Sequence, residues 1–118
     1  MIGKKLGKNL NDTKKVSFKN IKELCSQETF IIYESWISWL INSKKYSKNT
    51  ISSYSYDFKY FLNFITLHFD INKVNIHQIE LLRLRDFRSW LSFLKIINPA
   101  IKSNSIARAR ASIKSFYF

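Results

Sequence analysis

The sequence is poor in residues that interrupt regular structure: it has two glycines and one proline among 118 residues. So few turn-forming positions argue against a turn-rich sheet protein and favour long helices. Cys25 is the single cysteine, so an intramolecular disulfide is excluded, which suits a reducing compartment. We interpret it as a structural, unreactive thiol.

Long hydrophobic runs are also missing. No apolar run approaches the ~20 residues that a membrane span requires, and the first 22 residues carry lysines without the apolar segment of a secretory signal. His68 and His77 have no cysteine or acidic cluster at metal-ligand spacing. We therefore predict a cytoplasmic protein with no membrane association, metal, cofactor or small-molecule substrate.

Acidic residues are scarce: eight Asp and Glu face 20 Lys and Arg, which gives a net charge of +12. The excess is spread along the chain and is not confined to one tail. A polyanion, above all nucleic acid, is the natural partner. The alternative is a codon bias toward lysine without functional meaning. Hydrophobic residues make up 46%, enough for one small folded domain.

The first part of the chain divides into a leader and a helix. Residues 1–25 are lysine-rich and lack periodicity, so we expect a flexible basic leader that either follows a phosphate backbone or is merely solvated. A helix is predicted to begin within residues 26–29 and to end near Ser43. Its apolar arc is wide, so it is either well buried or partly offered to a partner.

The stretch from Tyr46 to Phe69 has the clearest helical periodicity. Ser47 lies where an N-cap is expected, and the apolar residues of one arc are Ile51, Tyr54, Phe58, Phe61, Leu62 and Ile65. The polar residues of the opposite arc are Lys48, Ser52, Ser55, Tyr56, Lys59 and Asn63. Because a helix N-terminus attracts phosphate, its first turn is a candidate anion site. An ordinary capped, solvated turn is the alternative.

Two further helices follow a connection over residues 70–78. The third runs from about Leu82 to Ile97, and its predicted core stripe is Leu84, Phe87, Leu91 and Leu94, flanked by Trp90. Arg83, Arg85 and Arg88 are either a solvated face or a phosphate grip. The fourth begins near Ser103, and its predicted core residues are Ile106, Ala109, Ile113, Phe116 and Tyr117. The residues predicted to face away are Arg108, Ala111, Ser112 and Ser115, with Lys114 at the margin.

Three stretches resemble the Xer-type tyrosine recombinases of the phage-integrase family. The first, YSKNTISSYSYDFKYFLNFI, resembles L-S-x-N-T-x-x-x-Y-x-x-D-L-x-x-F-x-x-F, and its matching residues are Ser47, Asn49, Thr50, Tyr54, Asp57, Phe61 and Phe64. The second, RLRDFRSWLSFL, resembles a D-I-R-x-W-L helix. The third, SIARARASIKSFYF, resembles S-I-A-R-R-L-S-A-L-R-S-F-Y, with Lys114 at a family arginine. The order and spacing of all three agree over residues 29–118.

The resemblance implies an all-α fold: a small four-helix bundle, the SAM-like core-binding domain, over residues 26–118. In the family this domain forms half of a clamp around double-stranded DNA, and its second and fourth helices approach the major groove. Combined with the polar arcs, this implies a set of DNA-binding residues: Ser47, Lys48, Asn49, Thr50, Ser52, Tyr56, Lys59, Ser105, Arg108 and Lys114.

The family's chemistry resides in a C-terminal catalytic domain, where a tyrosine nucleophile is assisted by cationic residues. Neither His68 nor His77 is followed by the arginine of the family's H-x-x-R motif. We therefore expect a truncated recombinase that does not cleave DNA; its intact parent would resolve chromosome dimers. The alternatives are an accessory protein that binds DNA or an intact recombinase protomer, and an all-α domain without a role in DNA binding.

Overall fold

Six helices form most of residues 20–117, the part of the chain that this computed structural model describes. In chain order they are α1 (Ile21–Leu24), α2 (Gln27–Asn42), α3 (Lys48–Phe69), α4 (Ile76–Glu80), α5 (Leu84–Ile97) and α6 (Ser103–Tyr117). The predicted all-α bundle is confirmed, and its four expected helices are the long ones: α2, α3, α5 and α6. The short helix α4 begins inside the segment predicted to be a plain connection.

The helix boundaries follow from capping residues. Ser26 and Ser47 each accept a hydrogen bond from the backbone N–H three residues later, at 3.2 Å, which fixes the starts of α2 and α3 where the sequence predicted them. At the start of α5, the carboxylate of Asp86 accepts the N–H of Arg83 at 2.8 Å. This bond places the first turn at Leu84 rather than near Leu82.

Helix α3 is the centre of the fold. It packs against α1, α2, α5 and α6, and five consecutive residues of its C-terminal half, from Phe61 to Ile65, are buried. The prediction that Asn63 faces solvent is therefore wrong: its side chain is buried, and its Nδ2 donates to the Lys59 carbonyl at 2.9 Å. An amphipathic helix has a solvent face only where no neighbour covers it, and between Phe61 and Ile65 other helices cover α3 on every side.

An aromatic cluster joins α2, α3 and α6. Phe58 on α3 is fully buried, and its ring centroid lies 4.5 Å from that of Phe116, 5.3 Å from that of Tyr33 and 5.5 Å from that of Trp36. Aromatic side chains bury large apolar areas and gain a further ~0.5–1.5 kcal/mol per well-placed pair. This cluster holds the N-terminal half of α3 in place between its two long neighbours.

Helix α5 is rotated relative to the prediction. Leu84, expected in the core, is 66% exposed, whereas Trp90, expected at the margin, is buried. The buried stripe is formed by Asp86, Trp90 and Leu94, spaced four residues apart. The contact of Asp86 Oδ1 with His68 Nε2, 3.0 Å away on α3, favours this rotation.

The folded domain begins earlier than predicted. Residues 1–19 of the expected leader lie outside the described residues, but residues 20–25 belong to the core. Ile21 and Leu24 on α1 are buried, and so is Cys25. Two backbone hydrogen bonds join this segment to Val74. The Val74 N–H donates to the Leu24 carbonyl at 2.8 Å, and the Val74 carbonyl accepts the N–H of Ser26 at 3.0 Å.

Candidate nucleic-acid interface

The start of α3 presents polar groups to solvent. Ser47, Lys48 and Asn49 are exposed, and Thr50 is half-buried. Ser47 acts as the cap, and the first helical hydrogen bond runs from the Ile51 N–H to the Ser47 carbonyl at 2.9 Å. The backbone N–H groups ahead of that bond point out of the helix, and the first turn has no acidic residue. This end of α3 therefore attracts anions through both its dipole and the Lys48 charge.

A polar stripe continues from this turn along α3. It consists of Lys48, Ser52, Tyr56 and Lys59, which fall within an arc of about 80° because their spacing is four, four and three residues. Ser52 and Tyr56 are exposed, and Lys59 Nζ lies 5.6 Å from the centroid of the Tyr56 ring. The structure thus brings these predicted contacts onto one surface.

The stripe borders a groove that also reaches α6. The groove has a volume of about 330 Å³ and lies between α3, the end of α5 and the start of α6; its residues are Tyr56, Asp57, Tyr60, Leu94, Ile97, Asn98, Ile101, Ser105, Arg108 and Ala109. We call it the central groove. Among the predicted site residues, Tyr56, Ser105 and Arg108 meet here. Tyr60 donates its hydroxyl proton to the Tyr56 hydroxyl oxygen, 2.7 Å away, so Tyr56 keeps its own proton for another acceptor.

Arg108 is held by a buried carboxylate. Its Nε donates to Asp57 Oδ2 at 3.0 Å, and its Nη2 donates to Asp57 Oδ1 at 2.8 Å. The Asp57 side chain is 5% exposed, whereas the Arg108 side chain is 42% exposed. The bonds to Asp57 raise the pKa of the Arg108 guanidinium above its ordinary value. The pair ties α3 to α6, and the partly exposed Arg108 side chain lines the central groove.

The structure corrects the prediction for Ser112 on α6 and separates Lys114 from Arg108. Ser112, expected to face away, is buried, and its Oγ lies 3.2 Å from Asp57 Oδ2 and 2.9 Å from the Ala109 carbonyl oxygen. Lys114 is exposed, but it lies about 120° around the helix axis from Arg108. The structure therefore does not bring Lys114 to the central groove with Tyr56, Ser105 and Arg108.

The sequence reasoning missed Asp57, Ser112 and Tyr60 as parts of this site. Asp57 matched the recombinase pattern, but the sequence analysis assigned it no role. The available signal was its rarity: it is one of eight acidic residues, and it falls between apolar Tyr54 and Phe58 on the inward side of α3. A carboxylate there requires a cationic partner.

The wide apolar arc of α2 is partly buried in the core and partly exposed. Trp36 and Leu40 are buried, and the Trp36 indole Nε1 donates to Ser115 Oγ on α6 at 3.1 Å. The apolar residues of α2 that stay exposed are Ile31, Ile32, Trp39 and Ile41. The helix therefore packs the core with one part of its arc and presents the rest to solvent.

The remaining reactive side chains are occupied or shielded. Burial raises the pKa of the Cys25 thiol, and that of Tyr54 is raised mainly by burial as well. Tyr117 donates its hydroxyl to the Ile79 carbonyl at 2.6 Å, although its side chain lies at the edge of the core and not inside it. Over residues 20–117, no three His, Cys, Asp or Glu side chains converge as a metal-binding group, and no helix could cross a membrane.

Comparisons with known proteins agree on one family. The family model for the phage integrase N-terminal SAM-like domain matches residues 33–118. These residues include α3, the central groove and the Asp57–Arg108 pair. No solved structure matches the chain.

Curated relatives of this chain include tyrosine recombinases XerC from the genus Rickettsia. The proteins of Rickettsia typhi and Rickettsia prowazekii are each 35% identical to this chain, and that of Rickettsia canadensis is 34% identical, in each case over 86 residues. The matched segment covers 73% of this chain but only 27% of each relative. This chain belongs to the family of phage integrase N-terminal SAM-like domains.

Proposed function

We propose that this chain binds double-stranded DNA as the core-binding half-clamp of a Xer-like site-specific recombinase. The observation that carries the proposal is the continuous polar stripe of α3, which begins at a phosphate-attracting helix start and borders the central groove at Tyr56. Family membership and the net charge of +12 support it. In this role the domain would act on chromosomal DNA in the cytoplasm, as part of recombination that resolves chromosome dimers.

The dimensions of the stripe suit a duplex. Lys48 and Lys59 are eleven residues apart, which is about 16 Å along the axis of α3. A major groove is about 12 Å wide, so the two ammonium groups can reach phosphates on opposite sides of it. Ser52 and Tyr56 lie between them and can donate hydrogen bonds to phosphate oxygens or base edges. The cations supply affinity, and the hydroxyl groups fix the position of the helix.

Strand cleavage is not part of the proposed function of this chain. The residues 33–118 correspond to the N-terminal domain of the recombinase family, and the described tyrosines are packed or hydrogen-bonded without a converging set of cations. Incubation with a supercoiled plasmid is expected to leave the plasmid intact. Nicked circles or a covalent protein–DNA adduct would contradict this part of the proposal.

The salt dependence of binding tests the phosphate contacts. A fluorescein-labelled 30-base-pair duplex is titrated with the 118-residue chain, and anisotropy gives the Kd at several salt concentrations. Release of counterions from about four phosphates predicts a loss of roughly 100-fold in affinity between 50 and 200 mM salt. A Kd that does not change over this range would refute the phosphate-contact model.

A matched pair of charge reversals locates the interface. Lys48→Glu removes a cation from the start of α3, whereas Lys73→Glu makes the same charge change beyond the other end of this helix, which is about 33 Å long. Lys48→Glu is expected to weaken binding about tenfold or more and Lys73→Glu less than about threefold. Equal losses in the two variants would mean that only the net charge matters.

A second candidate function is that of an accessory protein that pairs with an intact tyrosine recombinase protomer. The exposed apolar residues of α2, including Ile31 and Trp39, favour it because exposed apolar side chains can serve as a docking surface. If it holds, Trp39→Glu abolishes co-sedimentation with a XerC-type recombinase and leaves the Kd for DNA unchanged. Co-sedimentation that persists in the variant would exclude α2 as the docking surface.

A further inference from the structure

The Asp57–Arg108 ion pair uses only part of the hydrogen-bonding capacity of Arg108. A guanidinium has five N–H donors, and Asp57 takes two of them, the Nε proton and one Nη2 proton. The other three, one on Nη2 and two on Nη1, are not used by Asp57, and they belong to a side chain that is 42% exposed and lines the central groove. Bidentate pairing fixes the plane of the guanidinium, so the direction of these three donors is determined by a residue that is itself buried.

Asp57 is in turn fixed by its surroundings. Its carboxylate is 5% exposed, and the Ser112 hydroxyl lies 3.2 Å from Oδ2. Two neighbours present further donors to the same groove: Ser105, one turn before Arg108 on α6, and Tyr56, whose hydroxyl accepts from Tyr60 and therefore has its own proton available. Three side chains that carry hydrogen-bond donors thus line one groove at the junction of α3 and α6.

We propose that Asp57 is a positioning residue for DNA binding, which holds the Arg108 guanidinium so that its outer edge, with the Tyr56 and Ser105 hydroxyls, binds one backbone phosphate in the central groove. The inference rests on the proposed DNA-binding function. It assigns a buried acidic residue a favourable role in binding a polyanion. That assignment is opposite in sign to what charge alone predicts, because a negative charge repels DNA.

This opposition in sign gives the test. Kd values for the 30-base-pair duplex are measured at 100 mM salt for the wild-type chain, Asp57→Asn and the control Asp70→Asn. Both substitutions remove one negative charge. Asp70 is exposed at the end of α3, and its left-handed backbone, with φ 53°, accepts asparagine without strain. Asp70→Asn is expected to bind slightly more tightly than wild type, and Asp57→Asn about threefold to tenfold more weakly.

A second arm leaves Asp57 untouched, so the proposal stays testable if Asp57→Asn does not fold. Arg108→Lys keeps the charge but cannot bond bidentately to Asp57 and still present a fixed outer edge. It is expected to lose nearly as much affinity as Arg108→Ala, about tenfold.

The double variant Asp57→Asn with Arg108→Ala should bind no more weakly than Arg108→Ala alone, because Asp57 acts through Arg108. A purely structural role of Asp57 would add a further loss of affinity.

The outcomes separate the two proposals. Wild-type affinity in Arg108→Lys, or tighter binding by Asp57→Asn that equals that of Asp70→Asn, overturns the positioning role while the DNA-binding function stands. Absence of measurable, salt-dependent binding by the wild-type chain overturns the proposed function and the positioning role with it. Weaker binding by Asp57→Asn and Arg108→Lys, beside binding by Asp70→Asn that is as tight as that of wild type or slightly tighter, supports both.

Discussion

Replacing Phe58 by alanine tests whether the aromatic cluster holds α2, α3 and α6 together. Phe58 is fully buried, and its ring lies within 6.4 Å of four other aromatic rings on α2, α3 and α6. The truncation withdraws about 120 Å² of buried apolar surface, or about 3 kcal/mol at ~25 cal/mol per Å². The cavity left between three helices adds to this loss, so the free energy of unfolding should fall by about 4 kcal/mol.

Urea denaturation, followed by tryptophan fluorescence and far-UV circular dichroism, measures this free energy. Two variants frame the result. Phe58→Leu keeps most of the volume and should cost about 1–1.5 kcal/mol. Phe69→Ala makes the same chemical change at the end of α3, where the side chain is 43% exposed, and should cost less than about 1 kcal/mol.

The comparison of Phe58→Ala with Phe69→Ala tests whether the aromatic cluster carries this stability. A domain of this size has a total stability of about 5–15 kcal/mol, so Phe58→Ala is expected to lie near the edge of folding. All variants are therefore titrated in the same concentration of trimethylamine N-oxide, which stabilises folded proteins. If Phe58→Ala and Phe69→Ala lose similar amounts, the cluster does not carry the stability that the packing assigns to it.

Two further predictions concern the helix caps. The Arg83 backbone N–H, and to a smaller extent His68, lowers the pKa of Asp86. A carboxyl group whose pKa is lower in the folded state stabilises the fold at pH values above its unfolded pKa of about 4. This contribution is lost as the pH falls through the folded pKa. Urea titrations from pH 7 to pH 3 should therefore show a steeper acid loss of stability for wild type than for Asp86→Asn, and parallel curves would contradict this. Ser47→Ala should lower the free energy of unfolding by about 1 kcal/mol because the α3 cap is lost, whereas Ser47→Asn should keep most of the wild-type stability. Equal stabilities of the two variants would refute the capping role.

Local chemistry made part of this structure predictable. Ser26 and Ser47 could be recognised as caps because a hydroxyl before an apolar-periodic segment satisfies N–H groups that the helix itself leaves unpaired. The four long helices followed from the spacing of apolar residues, and their arrangement as a bundle followed from the family resemblance. The candidate stripe of Lys48, Ser52, Tyr56 and Lys59 followed from the same rule, since α3 is uncovered along that side.

Periodicity failed where a neighbouring helix decides the outcome. Asn63 and Ser112 are polar residues at positions that a lone amphipathic helix would expose, yet both are buried because another helix covers them. The pairing of Asp57 with Arg108 joins residues 51 positions apart. No local pattern specifies that contact, because it depends on how α3 and α6 pack. The same holds for Leu84 and Trp90, whose exchange of places depends on the rotation of α5.

The burial of α3 has a consequence for how the domain moves. Amide hydrogens exchange with solvent only when their hydrogen bonds open. Between Phe61 and Ile65, opening would separate α3 from its neighbours, so exchange there follows unfolding of the whole domain. The first turn at Ser47 faces water and opens by local fraying. The end of the helix that meets DNA in our proposal can thus adjust to a duplex while the other end keeps the core closed.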